Sequence, residues 1–337
     1  MIRWSDPFDF RIVQMKVTRR FSGHHEDFVH DVAYDYYGKR LATCSSDHKI
    51  KVWRQSNADD KKKSSGNSNK KGADDDGNWV CQAELEGHSG PVWKVAWAHP
   101  EFGQVIASCS YDRSVRIWEE QMGGGGSATS RWQLAATLVD SRESVIDVKF
   151  APRHLGLKFA TCSVDGFVRI YEAGDIMNLT HWQIQDEFEA EKRDVTSLSW
   201  NPSLFDTPQM VVGSSSGNAR VFGFHEKLKR WTVIVELTGH KGAVNDVAWA
   251  PNLGRSFHLI ATASSDRNVK VWRLAKSAAD GYSAECVATL TQEAEIWRCE
   301  WNATATVLAT SGDDGMIRTW ACNFRGEWEC TSAVACE

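Results

Sequence analysis

Six short runs along the chain alternate apolar and polar residues and end on an aromatic: IKVW at Trp53, VRIW at Trp118, VRIY at Tyr171, ARVF at Phe222, VKVW at Trp272 and IRTW at Trp320. A period of two with β-branched residues on one side is the pattern of a half-buried strand, not of a helix. These aromatics recur at intervals of roughly 50 residues. About twenty residues upstream of each, a second run closes on Tyr34, Trp97, Phe150, Trp200, Trp249 or Trp301. The spacing predicts repeated four-stranded units stacked on one another through aromatics held in register.

Polar positions keep the same phase. Asp47, Asp112, Asp165, Asp266 and Asp314 stand six residues before the terminal aromatic, with Ser216 in the fourth repeat, and Ser45, Ser110, Ser163, Ser214 and Ser264 stand eight before it, with Gly312 in the sixth. Gly-His pairs at His24, His88 and His240 precede three of the upstream strands. Together these positions fit the WD-repeat pattern, so the expected fold is all-β: a six-bladed propeller over 21–337, preceded by an extension at 1–20 that offers an edge strand. The stretch 59–77, DDKKKSSGNSNKKGADDDG, is low in complexity and of mixed charge, and is expected to be a disordered loop insertion. Trp93 and Trp297 lie four residues before the upstream aromatic, and simple strand parity sends both to the core.

His, Ser and Asp recurring together suggest a nucleophilic triad, but a catalytic site is needed once, whereas a hydrogen-bonded set in each blade satisfies buried polar groups many times. The expected structural sets comprise His24, Ser45, Asp47 and Trp53; His88, Ser110, Asp112 and Trp118; Ser163 and Asp165; His240, Ser264, Asp266 and Trp272; and Asp314 with Trp320. Asp313, beside Asp314, reads as an exposed turn residue. No catalytic, cofactor-binding or metal-binding residues are expected. The nine cysteines are odd in number, lack a Cys-x-x-Cys pair and have no histidine at ligand spacing, which argues against zinc and for a reducing compartment. Cys44, Cys109 and Cys162 share one repeat position, as small buried hydrophobes would.

A net charge of −5 provides no global positive field, which disfavours nucleic acid as a direct ligand. No apolar run approaches the ~18 residues of a membrane span, so no direct membrane insertion is expected. The basic runs at 61–63 and 70–71 read either as an import signal or as a solvated loop neutralised by Asp59, Asp60 and Asp74 to Asp76.

Closure of the ring raises a counting question. Six inner triplets need six outer strands, five lie between triplets, and both ends offer another: 12–21 (IVQMKVTRRF) and 327–334 (EWECTSAV). A surplus strand leaves a seam between the first and sixth blades open to strand addition, and Val13, Met15, Val17, Trp328 and Cys330 become its candidate partner contacts.

Three blade sequences carry a closer resemblance: DFVHDVAYDYYGKRLATCSSDHKIKVW, GPVWKVAWAHPEFGQVIASCSYDRSVRIW and SVIDVKFAPRHLGLKFATCSVDGFVRIY. With RIYEA after Tyr171 and GHKGAVNDVAWAPNLGR at 239–255, they resemble the "sec-thirteen homologue" (Seh) family of nucleoporins, sister to the small propeller of the COPII coat. That resemblance implies a non-enzymatic scaffold of the Y-shaped outer-ring complex of the nuclear pore, serving protein and mRNA transport. Its partner would be an α-helical solenoid nucleoporin that inserts strands to complete an open propeller. It also implies a second place in a nutrient-sensing complex at the lysosomal or vacuolar surface, upstream of the target-of-rapamycin kinase. A COPII-type coat propeller and a WD-repeat substrate adaptor are the competing readings; an adaptor would bind by its top face rather than by an open edge.

Overall fold

The computed structural model describes residues 21–56, 79–122, 130–192, 194–276 and 281–335. The expected loop at 59–77 and the seam candidates Val13, Met15 and Val17 lie outside the described residues. The described residues form six four-stranded antiparallel sheets, each built from four strands consecutive in the chain and labelled a to d from the central channel outwards. In the first blade these are Val29–Tyr34, Arg40–Ser45, Ile50–Gln55 and Trp79–Leu85. In the sixth they are Ile296–Trp301, Val307–Gly312, Met316–Cys322 and Trp328–Ala335.

The strand count is therefore met without the N-terminal segment. The sixth blade takes its outer strand from the C-terminal end of the chain, with Trp328 opposite Cys322 and Ala335 opposite Met316. Both blades beside the seam are complete sheets, so the seam presents sheet faces rather than unpaired strand edges.

Each blade carries two β-bulges at repeated positions. One lies early in strand a, between Val29 and Asp31 in the first blade and between Ile296 and Arg298 in the sixth. The other lies where strand d passes the terminal aromatic, as between Val52 and Trp53 on strand c. An extra residue on one strand increases local twist and reverses side-chain parity beyond it. Trp297 is the bulged residue of its strand, so the parity that pointed it to the core does not hold, and its side chain is half exposed. Trp93, at the same position in the second blade, is partly buried because it leans onto the third blade and donates from Nε1 to Ser144 Oγ at 3.2 Å.

The turn from strand b to strand c places one residue in the left-handed region directly after the repeated Asp or Ser. Gly166, Gly217 and Gly315 adopt it freely, whereas His48, Arg113 and Arg267 are held there at φ of 67°, 69° and 67°. The non-glycine residues occur in the three blades whose turns are also tied by a histidine, and that added bonding offsets the strain.

Between successive blades the apolar side chains gather into five clusters. Ala42, Cys44, Ile50 and Val52 of the first blade meet Val92, Val95 and Ile106 of the second. Equivalent residues repeat the arrangement at the second–third, third–fourth, fourth–fifth and fifth–sixth junctions. Cys44, Cys109 and Cys162 occupy one position in three of these clusters, fully buried and free, and burial raises each thiol's pKa well above the ordinary value. Among the described residues no such cluster joins the sixth blade to the first.

Candidate functional site

The repeated polar residues assemble within single blades. In the second blade Trp118 Nε1 donates to Ser108 Oγ at 3.0 Å, His88 Nε2 lies 2.8 Å from the same hydroxyl, and His88 Nδ1 lies 3.0 Å from Asp112 Oδ2. Because the ionised carboxylate can only accept, the neutral imidazole carries its proton on Nδ1 and donates it to Asp112, which leaves Nε2 to accept from the hydroxyl. The fifth blade repeats the chain with Trp272, Thr262, His240 and Asp266, and the first with Trp53, Thr43, His25 and Asp47.

Two sequence assignments change here. The histidine of the first blade is His25; His24 is exposed with φ of 45°. The distance to strand a was the available signal, since His25, His88 and His240 each stand four residues before Val29, Val92 and Val244. The hydroxyl in the chain is also not the serine eight residues before the aromatic but Thr43, Ser108 or Thr262, ten before it. Ser45, Ser110 and Ser264 tie the turn instead: each Oγ accepts from the backbone N–H of Asp47, Asp112 or Asp266 at 3.1 Å. Each also donates to a carbonyl ahead of strand a, that of Asp27, Pro91 or Gly242.

Where the histidine is missing, a basic residue two positions before the terminal aromatic takes over. Arg169 pairs with Asp165 at 2.9 Å and donates to Ser163 Oγ at 3.1 Å. Arg318 pairs with Asp314 at 2.7 Å and donates to Gln292, which in turn donates to Thr310, the acceptor of Trp320 Nε1. In the fourth blade Ser214 and Ser216 bond each other at 2.6 Å. Arg169, Arg318 and Gln292 were not foreseen, although a Lys or Arg stands at that position in every repeat.

The electrostatics follow from this geometry. Burial raises the pKa of the Asp112 carboxyl, but bonds from His88, Ser114 and the Ser89 N–H outweigh it and hold the group well below its usual range. Asp47 and Asp266 are lowered against burial by the same kinds of bond. Burial lowers His88 and His240 more than their aspartates raise them, so both favour the neutral form. Ser108 and Thr262 are fully buried and Thr43 nearly so, which keeps these hydroxyls out of reach of a substrate despite their triad-like bonding.

Among the described residues an exposed apolar surface lies between the first and sixth blades. In five blades the first, fourth and sixth residues of strand a are packed on the preceding blade, as Val145 and Val148 are. In the first blade the same positions, Val29, Val32 and Tyr34, are 50%, 56% and 60% exposed. Phe28, just before this strand, is 80% exposed, and Trp297 on the sixth blade is 51% exposed. The sixth blade faces them with Ala309, Ser311 and Ile317, which are half-buried, while their counterparts Ala261, Ala263 and Val269 are fully buried. The central channel, a cavity of about 820 Å³, is bounded by Val32 and Tyr34 on one side and Ala309, Ser311 and Ile317 on the other.

Polar groups span the inner rim of this gap. Arg298 donates to the His30 carbonyl at 3.1 Å and lies 3.8 Å from Asp31. Asp31 accepts from the Val95 N–H of the next blade, as Asp147 does from Leu198 and Asp246 from Cys299. Of the seam candidates in the last strand, Trp328 packs on Trp301 at a ring distance of 5.6 Å, within the cluster joining the fifth and sixth blades. It therefore faces away from the gap, and Cys330 is exposed on the outer strand.

Six four-stranded blades, five of them carrying an aspartate-centred polar set, define a WD-repeat β-propeller. Residues 15–54, 79–119, 231–273 and 284–321 match the WD domain, G-beta repeat. Across 95% of its length the chain is 44% identical to nucleoporin SEH1 of Homo sapiens and 42% identical to nucleoporin SEH1-A of Xenopus laevis, covering 89% of each. Nucleoporin SEH1 of Osmerus mordax is 43% identical over 95% of the chain and 87% of that protein. The chain belongs to the SEH1 nucleoporin family.

Proposed function

We propose that the chain is a structural subunit of the outer-ring complex of the nuclear pore, stationed at the nuclear envelope, where it holds an α-helical solenoid nucleoporin by taking that partner's strands into the gap between the first and sixth blades. The observation that carries this reading is that, among the described residues, six blades form five apolar junctions, with Val29, Val32 and Tyr34 exposed where a sixth would lie. Both flanking blades are already four-stranded, so an occupant packs on their faces as a further blade, at the roughly 10 Å separation of stacked sheets. Covering an exposed Val or Tyr face contributes ~25 cal/mol per Å² of apolar surface, and Phe28 and Trp297 supply aromatic anchors at the rim. The names of the relatives support the pore assignment. A second assembly, at the lysosomal or vacuolar surface, would use the same gap and so exclude the first partner.

The test is co-purification of the chain with the solenoid nucleoporin of its own outer-ring complex. Val32→Asp is expected to leave the isolated chain folded, because the side chain is already in solvent, and to abolish the stoichiometric complex. Retention of the complex by this variant, with the isolated chain melting normally, refutes the assignment of the gap.

A further inference from the structure

Because the four strands of a blade alternate in direction, the loops from strand a to b and from c to d share one end of the propeller, opposite the b-to-c turns. Large apolar side chains collect at the tips of these loops. Phe205, Phe324 and Met177 are 95%, 94% and 89% exposed, the three highest values for large apolar side chains among the described residues, and Tyr36, Tyr37 and Leu253 are exposed with them. At the opposite end, outside the gap, Tyr111 and Val139 are the exposed large apolar side chains among the described residues.

The loops hold these side chains outwards. Tyr36 and Tyr37 are the central residues of a turn closed by the Gly38 N–H on the Asp35 carbonyl at 3.0 Å, and Phe324 and Arg325 those of a turn closed by the Gly326 N–H on the Asn323 carbonyl at 3.0 Å. Asp206, next to Phe205, is fixed to Lys276 at 3.0 Å and to His258 at 3.2 Å on the fifth blade. The apex of a turn in water is ordinarily Gly, Pro, Asn, Asp or Ser, so aromatic rings at these apices mark a surface built to meet something other than water.

Exposed cations stand among the tips. Lys227 and Lys229 flank the exposed Leu228, the Arg325 guanidinium lies 5.4 Å from the centre of the Phe324 ring, and Lys39, Arg153 and Arg230 are exposed at the same end. The exposed carboxylates of the described loops there are Glu101, Asp175, Glu226 and Glu327. This end therefore carries an excess of positive charge in a chain whose net charge is −5.

We infer that this end of the propeller docks on the surface of an anionic lipid bilayer. The apolar tips belong to the first, third, fourth, fifth and sixth blades and are separated by polar loop residues. A protein interface needs a continuous, closely packed apolar core, which separate tips do not provide. A fluid headgroup layer admits each side chain on its own, while Lys and Arg meet the lipid phosphates and carboxylates. Contact stays at the level of the headgroups and upper acyl chains, with no spanning element, and the strand-a face of the gap takes no part in it.

The test is co-sedimentation of the full chain with sucrose-loaded vesicles of phosphatidylcholine containing about 30% phosphatidylserine, and with vesicles of phosphatidylcholine alone. The expected result is saturable binding to the anionic vesicles that is weaker by about tenfold or more on the neutral ones. The double variant Phe205→Ser, Phe324→Ser is expected to lose at least about tenfold in affinity with an unchanged Tm, because both rings are already in solvent. Lys227→Glu with Lys229→Glu is expected to weaken binding by a similar factor, and Tyr111→Ser at the opposite end to leave it unchanged. A parent chain that stays in the supernatant at every anionic lipid concentration, as a face reserved for a protein would require, overturns the assignment. So does equal binding to neutral vesicles, an undiminished double serine variant, or a loss of the same size in Tyr111→Ser.

Discussion

Replacing Val148 by alanine removes two methyl groups from a side chain that is 1% exposed, at about 0.8 kcal/mol each, and leaves a cavity that neighbouring Phe159 and Tyr171 fill only in part. The loss is expected to total about 2–3 kcal/mol, a fall in Tm of about 3–4 °C for a chain of this size. Val32 holds the same repeat position in the first blade but is 56% exposed, so Val32→Ala forfeits less than half of the transfer free energy and leaves no enclosed cavity. Its expected cost is about 0.7 kcal/mol or less, or roughly 1 °C. Differential scanning calorimetry of the two variants beside the parent measures the contrast, and the same pair should reverse order in the complex. There Val32→Ala is expected to weaken partner binding by about five- to tenfold. Equal destabilisation of the isolated chain by the two substitutions would mean that the first and sixth blades pack on each other in solution, and the reasoning about the gap would fail.

Asp112→Ala leaves His88 Nδ1, the Ser89 N–H and the Ser114 hydroxyl without their acceptor, so a loss of at least about 1–3 kcal/mol and of soluble yield is expected by denaturant titration. Acid should destabilise the chain in two stages. His88 and His240 are held below the ordinary histidine value of 6.5, so the unfolded chain takes up protons first and stability falls as the pH drops below about 6.5. Asp47, Asp112 and Asp266, also lowered on folding, contribute stability above the ordinary carboxylate value of 3.8 and lose it below. A Tm series from pH 7.5 to 2.5 checks both signs, and a constant Tm between 6.5 and 5 would contradict the first stage. Deleting 59–77 with a short Gly/Ser bridge is expected to leave Tm and complex formation unchanged, by calorimetry and co-purification, because the segment connects two outer strands of the first blade.

The fold was legible because each blade repeats the same alternation and the same turn residues, and six copies corroborate one another. The polar sets were legible in kind but not in detail. Serine eight residues before the aromatic recurs more strictly than the mixed Ser and Thr ten before it, yet the mixed position carries the hydroxyl between histidine and tryptophan. Trp297 was misplaced because a bulge breaks strand parity, and no residue type in Ile296-Trp297-Arg298 announces one. Trp328 was misplaced because the counting argument located the last strand without saying which of its faces meets the fifth blade. The gap itself left no mark in the pattern: Val29 and Val32 look like every other strand-a valine, and only the missing neighbour sets them apart.

The most direct test of the account places a photoreactive phenylalanine analogue at Val32 or Ile317 and, as a control, at Leu134 on the outer strand of the second blade, then irradiates the purified complex with the solenoid nucleoporin. The account predicts efficient cross-links from positions 32 and 317 to one contiguous strand-forming segment of the partner, and none from 134. Cross-links from 134 or from the loops of the opposite face, with 32 and 317 silent, would contradict it.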